Sequence, residues 1–335
     1  MSVREIGSEF WDVPTTNIKN RFFDGDISWF LSGRSALSAV IVDIIRTKKI
    51  RRALLPSWCC ESMIAPFVAV GAEIKFYGVL LTDGRVEIDT HNTDADVVVV
   101  MDYFGYSSDN HLHNNNSIII RDVTHSVFSR EYDDADYYFG SLRKWAGFYT
   151  GGFAWKKSGL LQSATATDDK YISLRKRAMS MKKDYMEGRA DSKAYLEVFA
   201  EAESVLDKTC GVFAADSDDV MRAEYLDVDF VKFKRRENAQ VLLSRLGEFS
   251  LFSLSDDDCP LFVPIALSNR DEVKAELISQ SVYCPCHWGV SALHSLSKDE
   301  KLIYECELSL VCDQRYRVDE MNRICDIVER TAKAC

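Results

Sequence analysis

Lys144 sits in the segment Ser141-Leu142-Arg143-Lys144-Trp145, which ends a hydrophobic run and is followed by Thr150-Gly151-Gly152-Phe153. A lysine beside an apolar segment is a candidate nucleophile, because burial disfavours the ammonium and the neutral amine attacks carbonyl carbon. Upstream, Asp122-Val123-Thr124-His125 follows the apolar run Ile118-Ile119-Ile120 and offers a carboxylate with a histidine three residues on. A third segment, Ser32-Gly33-Arg34-Ser35, places small and polar residues at the start of an apolar helical stripe, where backbone N–H groups can hold an anion. Together these supply what an aldehyde-bearing, phosphorylated pyridine needs: an amine to form an imine, an anion to keep the ring nitrogen protonated, and donors for the phosphate.

The elements that must position these groups follow from periodicity. Ala36, Leu37, Val40, Ile41, Ile44 and Ile45 recur at helical spacing after Ser32. A short strand at Arg52–Pro56, a helical pattern from Glu61 to Val70 and a strand at Glu73–Tyr77 come next. Val97–Met101 and Ile118–Arg121 read as strands buried on both faces, each with polar residues at its carboxyl end. This alternation predicts an α/β fold, a mainly parallel sheet sandwiched by helices, with ligands at the carboxyl ends of the strands. From about Asp168 to Leu206 the composition predicts two long helices joined near Gly188-Arg189. A helix over Phe230–Leu246, strands at Phe249–Phe252 and Leu261–Ile265, a helix between Asp271 and Ser279 and a closing helix over Val318–Thr331 read as a separate small lobe. The expected division is a large domain over 1–231, with its N-terminal segment, and a small C-terminal α/β domain over 232–335. A chain of 335 residues, 47% hydrophobic, is long enough for two such lobes.

Composition narrows the function. The net charge of −11 and the shortness of the basic clusters, such as Lys48-Lys49 with Arg51-Arg52, disfavour nucleic acid as a partner. The polar start Met1-Ser2-Val3-Arg4-Glu5 is unlike a signal peptide, and no apolar segment reaches the roughly 18 residues of a membrane span, so a soluble cytoplasmic protein is expected. Ten cysteines in this length are too dilute for a disulfide scaffold. Cys284-Pro285-Cys286-His287 lacks the spacing and second pair of a zinc site, so no metal is expected. Adjacent Cys59 and Cys60 read as packing. No GxGxxG follows the early strands, which disfavours a nicotinamide-dependent oxidoreductase.

The chain resembles the fold-type I pyridoxal phosphate (PLP) enzymes, in particular the DegT/DnrJ/EryC1 group of sugar aminotransferase-like proteins. The resemblance runs from about Ile6 to the C-terminal helix, and its specific motifs lie between Gly33 and Gly152. They are a glycine-bearing helix start (Gly33-Arg34-Ser35), a proline-containing strand end with an aromatic (Pro56-Ser57-Trp58), an acid followed three positions on by Gln or His (Asp122, His125), and the imine lysine before a Gly-Gly strand (Lys144, Gly151-Gly152).

The resemblance implies a role for each residue. Lys144 forms the internal aldimine and then moves the proton between substrate and cofactor. An ordinary lysine pKa of about 10.4 must be lowered for this, and burial, the neighbouring Arg143 charge and imine formation are expected to do so. Asp122 pairs with the pyridine nitrogen, and His125 touches the ring oxygen or the substrate. Gly33, Arg34, Ser35 and Ser141 hold the phosphate, although Ser141 lies three residues before the lysine where many members have five. Trp58 or Cys60 occupies the place of the ring-stacking aromatic. The Asn/Arg motif that reaches a neighbour's phosphate is not recognisable between Gly211 and Asn238, with Asn238 its weak substitute. In the small lobe, His287, Trp288, Arg315 and Tyr316 are expected substrate contacts, Arg315 through paired donors to a carboxylate or phosphate. The implied activity is amine transfer from an amino acid to a keto acceptor such as a nucleotide-linked keto sugar, in a homodimer. Another PLP-dependent reaction, or a catalytically silent scaffold of the same fold, are the alternatives.

Overall fold

The computed structural model describes residues 4–20, 26–89, 94–111, 116–130 and 132–334; Met1, Ser2 and Val3 of the polar start lie outside the described residues. The chain divides into two compact units.

The first unit comprises Met1–Arg4, Glu9–Thr47 and Tyr137–Val228. Its strand Gly152–Lys156 pairs antiparallel with Tyr137–Ser141 on one side and Ser28–Phe30 on the other. The predicted first helix spans Gly33–Ile45, and it buries Ala36, Leu37, Val40, Ile41 and Ile44 while leaving Ile45 exposed. The two long helices are Asp169–Met186 and Tyr195–Lys208. They form one apolar cluster in which Tyr171, Ala178, Met179, Tyr195, Phe199 and Ala202 are buried. Asp168 caps the first of these helices by accepting from the Tyr171 N–H at 3.0 Å.

Gly152 has a steric reason to be glycine. A Cβ built there would stand 2.1 Å from the Ser32 carbonyl oxygen, so the chain leading into the first helix lies directly on this strand. Gly152→Ala is expected to lower stability by about 1–3 kcal/mol, the usual cost of overpacking. Thermal melts of Gly152→Ala and Gly247→Ala check this, since a Cβ at Gly247 meets nothing within 4 Å and that variant should melt like the wild type.

The second unit comprises Glu5–Ser8, Lys48–Asp136 and Asp229–Cys335. Four strands, Ile118–Asp122, Val97–Met101, Arg52–Pro56 and Glu73–Tyr77, lie side by side in that order and all pair in parallel. All five residues of Val97–Met101 are buried, as a strand covered on both faces requires. The helices Glu61–Ala69, Val228–Leu246, Arg270–Ser279 and Val318–Thr331 fall where the apolar spacing places them.

Phe249–Phe252 is not a strand. Gly247–Phe249 is a 3-10 turn, and the Leu251 N–H reaches the Pro264 carbonyl at 3.0 Å, but proline has no N–H with which to return the bond. Val263–Ala266 pairs instead with Glu307–Leu310. The periodicity reading also missed the hairpin Val79–Thr82 and Arg85–Asp89, which has Ser108–His111 alongside. Asp83 and Gly84, both at positive φ, form its turn, an Asp-Gly pair suited to a two-residue hairpin loop.

Candidate active site

In the first unit the helix Gly33–Ile45 begins at Ser32, whose hydroxyl accepts from the Ser35 N–H at 3.2 Å and whose carbonyl accepts from the Ala36 N–H at 2.9 Å. Gly33 and Arg34 are therefore the first-turn residues whose N–H groups find no acceptor among the described residues. A Cβ on Gly33 would lie 3.3 Å from the Ser141 Cβ, so the helix start rests against Ser141. Ser141 is buried, pairs in register with Gly152, and its hydroxyl makes no hydrogen bond among the described residues. Two amides, the positive end of a helix and a hydroxyl thus meet in one place, a donor set suited to a phosphate. The Ser35 and Arg34 side chains are spent elsewhere: the Ser35 hydroxyl bonds to Gly211 and Phe213, and Arg34 pairs with Asp207 at 3.2 Å.

Lys144 is the last residue of the 3-10 turn Leu142–Lys144, and Ser141 is that turn's cap. The amine and the cradle hydroxyl are held by one rigid turn. Two expectations about Lys144 need correction. Its side chain is exposed and not buried, which leaves the amine accessible to an aldehyde. Arg143 does not act on it as an unpaired cation either: its guanidinium pairs with Glu203 and lies 5.7 Å from the Tyr171 ring centre. Arg175, buried, bonds both Glu9 at 3.1 Å and Glu203 at 3.3 Å. Desolvation raises the Glu9 carboxyl, but the charges of Arg175, Arg143 and Lys144 outweigh it and hold it at about 2. The stabilisation from this carboxylate is present above pH about 4.5 and is lost as pH falls toward 2.

In the second unit Asp122 ends its strand, is buried, and accepts the Thr124 N–H at 2.8 Å. Its charge reaches Cys59, whose thiol is pushed well up by burial, by Cys60 and by Asp122. His125 is buried in an aromatic cluster, with its ring 5.6 Å from Trp288 in a stacked arrangement and 5.0 Å from Phe104. Trp58 belongs to the same cluster: it stacks on Tyr103 at 4.8 Å and donates its indole N–H to the His287 carbonyl at 2.6 Å. Of the two candidates for the ring-stacking place, Trp58 is thus fully packed by protein. Cys60 caps the helix Glu61–Ala69, with its sulfur 2.9 Å from the Ser62 hydroxyl. Tyr103 and Phe104 were missed from the sequence, although Asp102-Tyr103-Phe104-Gly105 at a strand's carboxyl end was the signal.

Two expected substrate contacts are engaged within the protein. The Arg315 guanidinium forms paired bonds of 2.8 Å to Asp313, two residues before it, which fills the fork that an incoming anion would use. Tyr316 is buried and its hydroxyl accepts the Gly7 N–H at 2.9 Å. Asn238 is buried as well and donates its amide to the carbonyls of Cys312, Asp313 and Tyr316, which makes it the brace of that turn and not a phosphate ligand. His287 and Trp288 remain beside His125 and Phe104. Among the described residues no three His, Cys, Asp or Glu side chains converge as a metal site, and no helix is long and apolar enough to cross a membrane.

No protein-family model matches the sequence, and no curated protein matches it. Solved structures share its fold. Spr1654 of Streptococcus pneumoniae, described as a sugar aminotransferase and solved in its PLP form, superposes with a TM-score of 0.65 at 12% identity over 97% of this chain and 99% of that one. PseC of Helicobacter pylori, an aminotransferase of pseudoaminic acid biosynthesis, gives 0.62 at 14% identity over 96% and 99%. A DegT DnrJ EryC1 StrS aminotransferase of Brucella abortus gives 0.58 at 13% over 91% and 85%. At these identities the likeness is one of fold, and the fold is that of the fold-type I sugar aminotransferases.

Proposed function

From this fold we propose that the chain is a PLP-dependent aminotransferase, which moves an amino group from an amino acid to a keto acceptor; the names of its structural neighbours support a sugar as that acceptor, and a nucleotide-linked keto sugar is the form proposed here. The observation that carries the reading is local to one turn. A phosphate cradle built from Gly33, Arg34 and Ser141 adjoins the 3-10 turn that ends in the accessible amine of Lys144. When bound, the cofactor supplies an aldehyde to capture the amino group and a ring that accepts electron density. In this reading the Gly33 and Arg34 amides and the Ser141 hydroxyl grip the phosphate, and Lys144 holds the cofactor covalently. The same amine, once released, takes and returns the proton at the substrate carbon. For Asp122 and His125, which belong to the second unit, the roles are those that the family resemblance implies: Asp122 would supply a fixed negative charge for the ring nitrogen, and His125, with Trp288 stacked on it, would border the ring or substrate. A homodimer is part of the proposal.

The test begins with colour. Purified protein given PLP should turn yellow, and borohydride should bleach it; a protein that stays colourless is the silent scaffold instead. Ser141→Ala should weaken PLP binding by about 10- to 100-fold, the worth of one hydrogen bond to a charged group. Ser35→Ala should leave PLP affinity nearly unchanged, because that hydroxyl serves the Gly211–Phe213 loop. Titration of the yellow band reads both.

A further inference from the structure

His287 lies against a buried carboxylate and a buried hydroxyl that the proposed reaction does not use. Glu307 and Ser309 are two residues apart on the strand Glu307–Leu310, so their side chains share a face, and both are fully buried. One Glu307 oxygen accepts the His287 backbone N–H at 2.6 Å. The other accepts the Ser309 hydroxyl proton. The Ser309 oxygen in turn lies 2.8 Å from His287 Nδ1, whereas the carboxylate itself stands 3.9 Å from that nitrogen.

Proton counting then sets the ring. A serine hydroxyl has one proton, and here it is given to Glu307, so toward His287 the oxygen can only accept. Nδ1 must carry the hydrogen, and in the neutral ring Nε2 is left with a lone pair. His125 is set the opposite way, because its Nδ1 faces the Phe104 backbone N–H at 3.4 Å and must accept, which puts the proton on Nε2. The two rings stand 5.9 Å apart at 80°.

We infer that Glu307, acting through Ser309, is a positioning device that locks His287 as a hydrogen-bond acceptor at Nε2. A ring so held takes a proton-bearing group of the substrate, O–H or N–H, and cannot donate to a bare keto oxygen. The substrate part of this statement rests on the proposed aminotransferase reading; the tautomer does not.

Nitrogen NMR of protein labelled in the histidine rings tests it, with PLP present and absent. There are six histidines, so His287 is assigned by the signals missing in His287→Gln. At neutral pH the wild type should show protonated Nδ1 and bare Nε2 at His287. Ser309→Ala should shift a large share of the ring to the Nε2–H form, and Ser309→Thr, which keeps the hydroxyl, should restore the wild-type pattern. A wild-type His287 that is protonated at Nε2, or a tautomer ratio unmoved by Ser309→Ala, overturns the inference. The spectrum reads the same in protein that never turns yellow, so failure of the aminotransferase reading stays separate from failure of this one.

Discussion

Lys144→Ala should abolish the yellow band and reduce amine transfer by at least about 10³-fold, within the range lost with a positioned acid/base group and greater once the covalent attachment goes with it. The fold should survive. Lys144 is exposed at the end of its 3-10 turn, and truncating an exposed side chain changes stability by only about 0.5 kcal/mol or less. The phosphate cradle is made by other residues, so Lys144→Ala should still bind PLP reversibly, through Gly33, Arg34 and Ser141. Absorbance after PLP addition, a thermal melt and a half-reaction with glutamate or glutamine separate these outcomes. A variant that stays yellow would move the covalent role to another lysine.

Asp122→Asn should have the next largest effect, through charge alone. The asparagine carbonyl can still accept the Thr124 N–H now bonded to Asp122, so the turn after the strand is kept. What goes is the anion that the proposal sets against the ring nitrogen. Turnover should fall by about 10²- to 10³-fold, the scale of losing one electrostatic group from a preorganised site. The yellow band should still form, because Lys144 is intact. Turnover within a few-fold of wild type would leave Asp122 as the turn residue that its hydrogen bond to Thr124 already makes it.

Much of the architecture was written in local patterns. Val97–Met101 is five apolar residues in a row, the pattern that a strand covered on both faces favours. The stripe from Ala36 to Ile44 and the Ser32 cap together mark the first helix and with it the cradle. Lys144, Ser141 and Gly152 lie within a dozen residues of one another, so the motif and the turn that shapes it are the same piece of chain.

What was hidden depends on partners distant in sequence. Arg143 reads as a cation beside Lys144, but the acid that pairs with it, Glu203, comes from a helix 60 residues on. Asn238 and Tyr316 are polar in the sequence, yet the Asn238 amide N–H groups are taken up by the turn at 312–316 and the Tyr316 hydroxyl by Gly7. Arg315 is different: Asp313 was visible two residues away, and the short ion pair is the ordinary outcome when a guanidinium and a carboxylate are that close on a loop. The aromatic cluster around His125 draws on three separate loops, and spacing along the chain does not reveal such convergence.

The most direct measurement is borohydride reduction of the PLP-treated protein followed by trypsin digestion and mass spectrometry. Trypsin cuts after Arg143, and a modified Lys144 is not cut, so the expected product is the peptide Lys144–Lys156 carrying one phosphopyridoxyl group. That label on Lys144, absent from the digest of Lys144→Ala, is the result predicted here. Label on a different lysine, or none after full exposure to PLP, contradicts the assignment of the covalent amine.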